Sequence, residues 1–182
     1  MPEVPFVTTP RTLGELSALR YRFATARRGD AEAWMRDELL LVSFAGTYGT
    51  GSAGNGDAAF MRAVLALARR AFAPAGVVLD LRDVEYHWGD MMASVLNDAV
   101  LGGVSPAVVV SGTCRPAMTG LVEAELGEDP AAWLFDGVDD ALRAVDTRVH
   151  QARAEAERRT REARLRGLRH PDERSAAGND RE

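Results

Sequence analysis

Four acidic residues and one imidazole lie close together in the middle of the chain. They are Asp80, Asp83, Glu85, His87 and Asp90. The apolar run that carries the first of them, residues 77–81, has the length of a buried strand, and open α/β sheets place their sites at the carboxyl ends of such strands. His87 with Asp90 would form an acid–base pair, and His87 with Glu85 would supply part of a metal site.

Histidine usage limits this chemistry. The chain has three His, and the other two, His150 and His170, lie near the C-terminus without a ligand spacing such as HxxxH. The sequence therefore favours structural roles, in which His87 and Trp88 fill the loop beneath the next helix and Asp90 is the N-cap or a first-turn acid of that helix. We predict no catalytic residue, no metal and no cofactor.

A glycine-rich loop, GTYGTGSAGNG at 46–56, follows one predicted strand and precedes a helix, where phosphate-binding loops occur. The chain contains no Lys, so the loop lacks the Lys-Ser/Thr ending of a P-loop. Gly49, Gly51 and Gly54 match the letters of GxGxxG, but no acidic residue ends the next strand as a dinucleotide site requires. We predict a mobile surface loop, with a small-molecule or anion contact at these glycines as the alternative.

The only cysteine, Cys114, precedes a predicted helix, where a thiol pKa can be lowered. No His follows until His150, and a GxSxG nucleophile pattern is absent from this segment. An inert small residue is the favoured interpretation. A single cysteine also excludes an intramolecular disulfide framework and fits a reducing compartment.

The composition argues against several partner classes. The chain has 182 residues and a formal net charge of −5, whereas nucleic-acid binding favours a basic surface. No apolar run approaches the roughly 20 residues of a membrane span, and the first residues lack the basic-then-apolar order of a signal peptide. We predict a cytoplasmic protein without nucleic-acid or membrane partners.

Short apolar strands alternate with helices along most of the chain, which predicts an α/β fold. We expect a small, mostly parallel sheet of four or five strands with helices packed on it, and a long C-terminal helix. Predicted strands occupy 39–45, 77–81, 107–110 and, as a strand or turn, 132–135; predicted helices occupy 58–72, 90–100, 116–126 and the chain from 138. An N-terminal extension, 1–38, would hold an edge strand or, as the alternative, a continuing helix at 19–26 and a short helix at 31–37, before a domain at 39–146.

The C-terminal helix has a heptad-like seam of apolar residues. Its members are Val138, Leu142, Val145, Val149, Ala152 and Ala156. From 147 to 182 there are ten Arg against seven Asp or Glu, and the composition of 170–182 is typical of disorder. A solvated helix that frays is the favoured interpretation, and a helix that pairs with a second copy or with another protein is the alternative.

Taken together, these elements resemble a STAS domain, the fold of anti-sigma factor antagonists and of sulfate-transporter tails. The resemblance covers about 39–145 and rests on LLLVSFAG, VVLDLRDVEY, AVVVSG and WLFDGVDDALRAV. The family usually continues the second segment with Asp-Ser-Ser-Gly or Asp-Ser-Thr-Gly, in which a hydroxyl is a phosphorylation switch. Here Trp88, Gly89, Asp90 and Met91 occupy those positions, so no hydroxyl is present and the Asp90 carboxylate would imitate the charged state.

The resemblance implies a non-enzymatic regulatory module that binds another protein through the loop after the second predicted strand. The expected contact residues are Tyr86, His87, Trp88, Asp90 and Met91, with Arg82 and Asp83 nearby. The alternative is a small-molecule sensor or a crotonase- or ClpP-like enzyme that uses the glycine loop with His87 and Asp90. A deep cavity joining those two segments would favour the alternative, and a flat or convex surface would favour protein binding.

Overall fold

A five-stranded sheet forms the centre of the protein in the computed structural model, which describes residues 8–27 and 38–168. The strands are β1 (Arg20–Ala26), β2 (Leu39–Thr47), β3 (Gly76–Glu85), β4 (Ala107–Val109) and β5 (Leu134–Phe135). They lie in chain order across the sheet; β1 is an antiparallel edge strand and the other pairs are parallel. The predicted α/β fold with a mostly parallel sheet is confirmed.

Helices follow the parallel strands. They are α1 (Asn55–Phe72), α2 (Met92–Ala99), α3 (Arg115–Leu121), α4 (Pro130–Trp133) and α5 (Val138–Leu168). Short 3-10 turns occupy Leu13–Glu15 and Gly51–Gly54, and a π-helical turn, Val122–Leu126, continues α3. The predicted helix at 116–126 is therefore α3 plus this wider turn. The predicted strand at 132–135 is the end of α4 followed by the two residues of β5.

Strands β2 and β3 are apolar on both faces because helices cover the sheet on both sides. On one side, Leu40, Val42 and Phe44 of β2 pack in a core shared with α1, α2 and α3. Helix α1 contributes residues at helical spacing, among them Met61, Val64 and Leu65, all fully buried. Each such side chain stabilises the fold by roughly 1.5–3 kcal/mol through removal from water.

The other side of the sheet is covered by α5. Ala141, Val145 and Val149 are buried in a second apolar cluster that includes Val78 of β3. The heptad-like seam thus packs on the sheet as far as Ala152, which is half-buried, whereas Ala156 is exposed. The predicted long helix is confirmed, and it passes position 147 without interruption. The predicted helix at 31–37 and the predicted disorder at 170–182 lie outside the described residues.

Candidate functional site

The glycine loop and the loop after β3 meet at the carboxyl edge of the sheet. The Tyr48 N–H donates a hydrogen bond to the Glu85 carbonyl at 3.0 Å, and the Gly51 N–H donates to the Trp88 carbonyl at 3.2 Å. Parallel neighbouring strands bring their following loops together, so β2 and β3 place these two segments side by side. Two features that the sequence suggests separately form one structural unit.

Trp88 lies on this unit and is 58% exposed. The ring packs over Gly51, where an added Cβ would lie 2.4 Å from its Cζ3 atom, and Gly51 has φ +60°, a conformation that favours glycine. His87, Asp90 and Met91 are also exposed, Met91 by 38%. The structure therefore places these four of the five predicted contact residues at the surface.

Tyr86 is the exception, because its side chain is only 2% exposed. Its ring packs edge-to-face on Tyr48, with ring centroids 5.3 Å apart. Burial raises the pKa of the Tyr86 hydroxyl, although a hydrogen bond from the Gly89 backbone N–H acts in the opposite direction. Tyr86 therefore supports the loop from below and is not available for direct contact with a partner.

Tyr48 is buried without a partner for its hydroxyl among the described residues. Burial, together with the negative charges of Asp57 and Asp90, raises its pKa to about 12. The hydroxyl is therefore a neutral, buried polar group that contributes no described hydrogen bond to the fold. Such a group costs free energy relative to an apolar replacement of the same shape.

We expect Tyr48→Phe to leave the free energy of unfolding unchanged or to raise it by up to about 1 kcal/mol, because the unpaired hydroxyl is removed. Tyr86→Phe is the matched control. It removes the acceptor for the buried Gly89 N–H and should lower stability by about 1 kcal/mol. Urea unfolding of both variants measures the difference; a larger loss for Tyr48→Phe than for Tyr86→Phe would contradict this assignment.

Asp57 holds the glycine loop from the first turn of α1. Its buried carboxylate accepts hydrogen bonds from the Gly49 N–H at 2.8 Å and from the Ser17 hydroxyl. The helix predicted at 58–72 begins earlier, at Asn55, so Asp57, whose position just before that predicted helix suggests a cap, lies inside the first turn and its carboxylate reaches neighbouring segments instead. The loop is also less exposed than predicted: both Gly51 and Gly54 are buried.

Asp90 does not cap α2 either. The helix begins at Met92, Met91 occupies the N-cap position, and the Met91 side chain makes no capping hydrogen bond. The Asp90 side chain is exposed to solvent. Its carboxylate therefore lies at the surface next to Met91 and does not occupy the N-cap position of α2.

Arg82 and Asp80 point away from the core under α1, because they alternate along β3 with the buried Leu79 and Leu81. The Arg82 Nε and Nη2 atoms donate to the Asp80 carboxylate, both at 2.9 Å. Burial raises the pKa of Asp80, but hydrogen bonds from Arg82 and Ser43 and the Arg82 charge outweigh burial and lower it. Arg82 is thus engaged within the fold, while Asp83 is exposed at a bulge opposite Ala45.

We expect Arg82→Met to lower the free energy of unfolding by about 1–2 kcal/mol at neutral pH, since a buried carboxylate loses its partner and water compensates only part of the loss. In the wild type, the ionised Asp80 carboxylate contributes to the free energy of unfolding at pH values above its unfolded-state pKa. This contribution is lost as the pH falls through the lower pKa of Asp80 in the folded state. In the variant, burial still raises that pKa, and only the hydrogen bonds from Ser43 and from the backbone N–H of residue 82 oppose it. The stability difference should therefore shrink on acidification, which urea titrations across pH will measure; a constant difference would contradict it.

The geometry for acid–base or metal chemistry is not assembled in the described part of the chain. His87 Nε2 lies 3.5 Å from Glu85 Oε1, both side chains are largely exposed, and no hydrogen bond joins His87 to Asp90 among the described residues. Within 8–27 and 38–168, no three His, Cys, Asp or Glu side chains converge as metal ligands. Burial raises the pKa of Cys114 to about 11, so its thiol is protonated at neutral pH, in agreement with an inert residue.

A groove of about 250 Å³ lies between the Trp88 loop and the α3 segment. It is lined by Tyr86, His87, Trp88, Pro116, Ala117, Gly120, Leu121 and Glu125. None of the loop glycines contributes to it, so this groove is not a cavity that joins the glycine loop to His87 and Asp90. Sequence reasoning missed the wall of this groove on α3. The available signal was Gly120, a glycine inside the predicted helix at 116–126, beside which the structure leaves open space.

No family model matches the chain, and no curated protein matches it. Among the described helices, none combines the length and the apolar character needed to cross a bilayer.

Proposed function

We propose that this chain is a non-enzymatic regulatory module of the cytoplasm that binds another protein through the Trp88 surface, defined as His87, Trp88, Asp90 and Met91. The observation that carries the proposal is Trp88 itself, a large aromatic residue that is more than half exposed on a structured loop. Exposed aromatic side chains beside charged groups are typical of the residues that dominate binding energy at interfaces.

The backbone of this surface is held in place before any partner arrives. The Gly51 N–H bonds to the Trp88 carbonyl, and the Gly89 N–H bonds to the hydroxyl of the buried Tyr86. Association then orders few additional groups, which lowers the entropic cost of binding. This arrangement supports recognition by a rigid surface better than capture of a small ligand.

The order of elements along the chain is compatible with the STAS resemblance, which remains part of the proposal. Gly89 stands where that family carries a hydroxyl residue, and an added Cβ there would lie 2.5 Å from the Tyr48 ring. A side chain at this position would force the buried Tyr48 ring to move. The exposed Asp90 supplies a permanent negative charge beside it, which supports a binding surface whose charge does not depend on a kinase.

The alternative, a sensor or a crotonase- or ClpP-like enzyme, would need free N–H donors in the glycine loop. The Gly49 N–H is bonded to Asp57 and the Gly51 N–H to Trp88. A substrate oxygen would have to displace both. The geometry therefore favours the binding module over this alternative.

The proposal is tested by affinity capture with the full-length chain from a lysate of its source, followed by measurement of affinity for the captured protein. We expect Trp88→Ala to weaken binding at least tenfold, the usual effect of removing an aromatic hot spot. Leu67→Ala is the matched control, because Leu67 is an exposed apolar residue on α1, 54% accessible. Asp90→Asn should weaken binding less; a partner that ignores Trp88→Ala would refute the assigned surface.

A further inference from the structure

The outer part of α5 carries an apolar side chain flanked by positive charge. Leu165 is 56% exposed. Arg161 lies one turn before it on the same helix face and Arg164 adjoins it, whereas Glu162, three residues before Leu165, is the one acid on that face of this turn. Neither guanidinium is paired with another side chain of the described residues, whereas Arg159 is bonded to Glu155 at 2.5 Å. From 154 to 165 every residue is exposed, so none of them is buried against the rest of the described chain.

The groove beside Trp88 has the complementary chemistry. Its floor and walls are apolar at Ala117 and Leu121, and Gly120 leaves open space where any other residue would place a side chain. Glu125 lines the groove and is exposed. Asp90 is also exposed and lies two residues after Trp88, which lines the groove. No ion pair to either carboxylate occurs within the described residues. The groove therefore suits an apolar side chain accompanied by cations.

The α5 helix cannot reach this groove in its own chain. The helix starts after β5, at the carboxyl ends of the parallel strands, and runs toward their amino ends. There Val145 and Val149 lie against Gly76, the first residue of β3. The Trp88 loop follows the opposite end of β3. From Val149 to Leu165 the helix extends about 24 Å further away, at 1.5 Å per residue. An occupant with the chemistry of this helix must come from another molecule.

We propose that the α5 helix of a second copy docks in the groove, with Leu165 between Ala117, Leu121 and the Trp88 ring, and Arg161 and Arg164 against Glu125 and Asp90. The inference rests on the proposed function, since it assigns a partner to the same surface. It differs from pairing along the heptad seam, which packs on the sheet. Because exposed ion pairs are individually weak and screened by ions, the association is weak and sensitive to salt.

Sedimentation velocity of the full chain over a concentration series, at low and high salt, tests the proposal. We expect reversible self-association at low salt that declines at high salt. Arg161→Glu and Glu125→Arg should each weaken it about tenfold, and the double variant should recover most of the loss because the charges are exchanged. Gly120→Trp, which fills the groove from a site with open space, should abolish it. Arg22→Glu, at an exposed position on β1, is the control and should have no effect.

A wild-type chain that stays monomeric at every concentration at low salt would overturn the proposal, as would association that ignores Gly120→Trp and the charge exchange. The proposed function fails separately. If the chain is monomeric but captures another protein in a manner that requires Trp88, the binding module stands without self-docking. If Trp88→Ala affects neither self-association nor capture, both proposals are refuted.

Discussion

Replacing Val145 with Asp should lower the free energy of unfolding by about 4 kcal/mol or more, because a carboxylate would be placed in an apolar cluster without a partner. Val145 is fully buried, and its Cγ1 lies against Gly76 at the amino end of β3. A charged side chain there separates α5 from the sheet. Urea unfolding measures the loss, and limited trypsin digestion detects separation because α5 is rich in Arg.

Ala156→Asp is the matched control for this prediction. Ala156 belongs to the same heptad-like seam but is exposed, so the substitution should change stability by no more than about 0.5 kcal/mol. Equal losses in the two variants would mean that the seam is buried along its whole length. Equal resistance of both variants to trypsin would show that α5 does not depend on Val145 for its attachment.

Gly54→Ala should lower stability by about 2–3 kcal/mol although it adds one methyl group, since overpacking at a rigid site forces the backbone to move. An added Cβ would lie 2.2 Å from Cε1 of the Tyr48 ring and 2.4 Å from the carbonyl oxygen of Gly49. The second neighbour is backbone and cannot rotate away. Tyr48 also contacts Gly89, so the shift is expected to reach the Trp88 surface and to weaken partner binding.

Gly120→Ala is the control with the opposite expected sign. Gly120 is in α3 with no atom within 4 Å of an added Cβ, so alanine should stabilise the helix by up to about 1 kcal/mol. Thermal or urea unfolding of the two alanine variants compares the change in stability caused by one added methyl group at the closely packed Gly54 and at the open Gly120. A loss at Gly120 similar to that at Gly54 would contradict the open space described beside Gly120.

The fold could be predicted from the sequence largely because β2 and β3 are continuous apolar runs separated by a helix with a broad buried face. Their lengths and the alternation with helices exclude most other architectures. The boundaries were less predictable. An acid before a helix is usually its cap, but the Asp57 carboxylate accepts hydrogen bonds from Gly49 and Ser17 instead. Neither partner stands at a sequence spacing that predicts the contact.

Tyr86 shows why the candidate site was predicted only in part. Strand alternation from Leu79 and Leu81 would place Tyr86 outward, which matches its predicted role at the surface. The pairing of β2 with β3 instead contains one extra residue between Asp80 and Asp83, so the inward positions become Val84 and Tyr86. A bulge of this kind reverses the direction of the residues after it and leaves little trace in hydrophobicity. The groove wall on α3 likewise depends on tertiary placement.

The Asp57 carboxylate, in the first turn of α1, competes with external anions for the Gly49 N–H of the glycine loop. Helix termini attract anions from solution, but here a carboxylate of the same chain already accepts the Gly49 N–H, and the Leu16 carbonyl lies where a side chain on Gly56 would be. A tethered group of this kind acts at an effective concentration on the order of millimolar or above. A freely diffusing phosphate would have to exceed that concentration or bind far more tightly than the carboxylate. We therefore expect the Asp57 carboxylate to weaken any binding of a free anion at this loop, because both would compete for the Gly49 N–H.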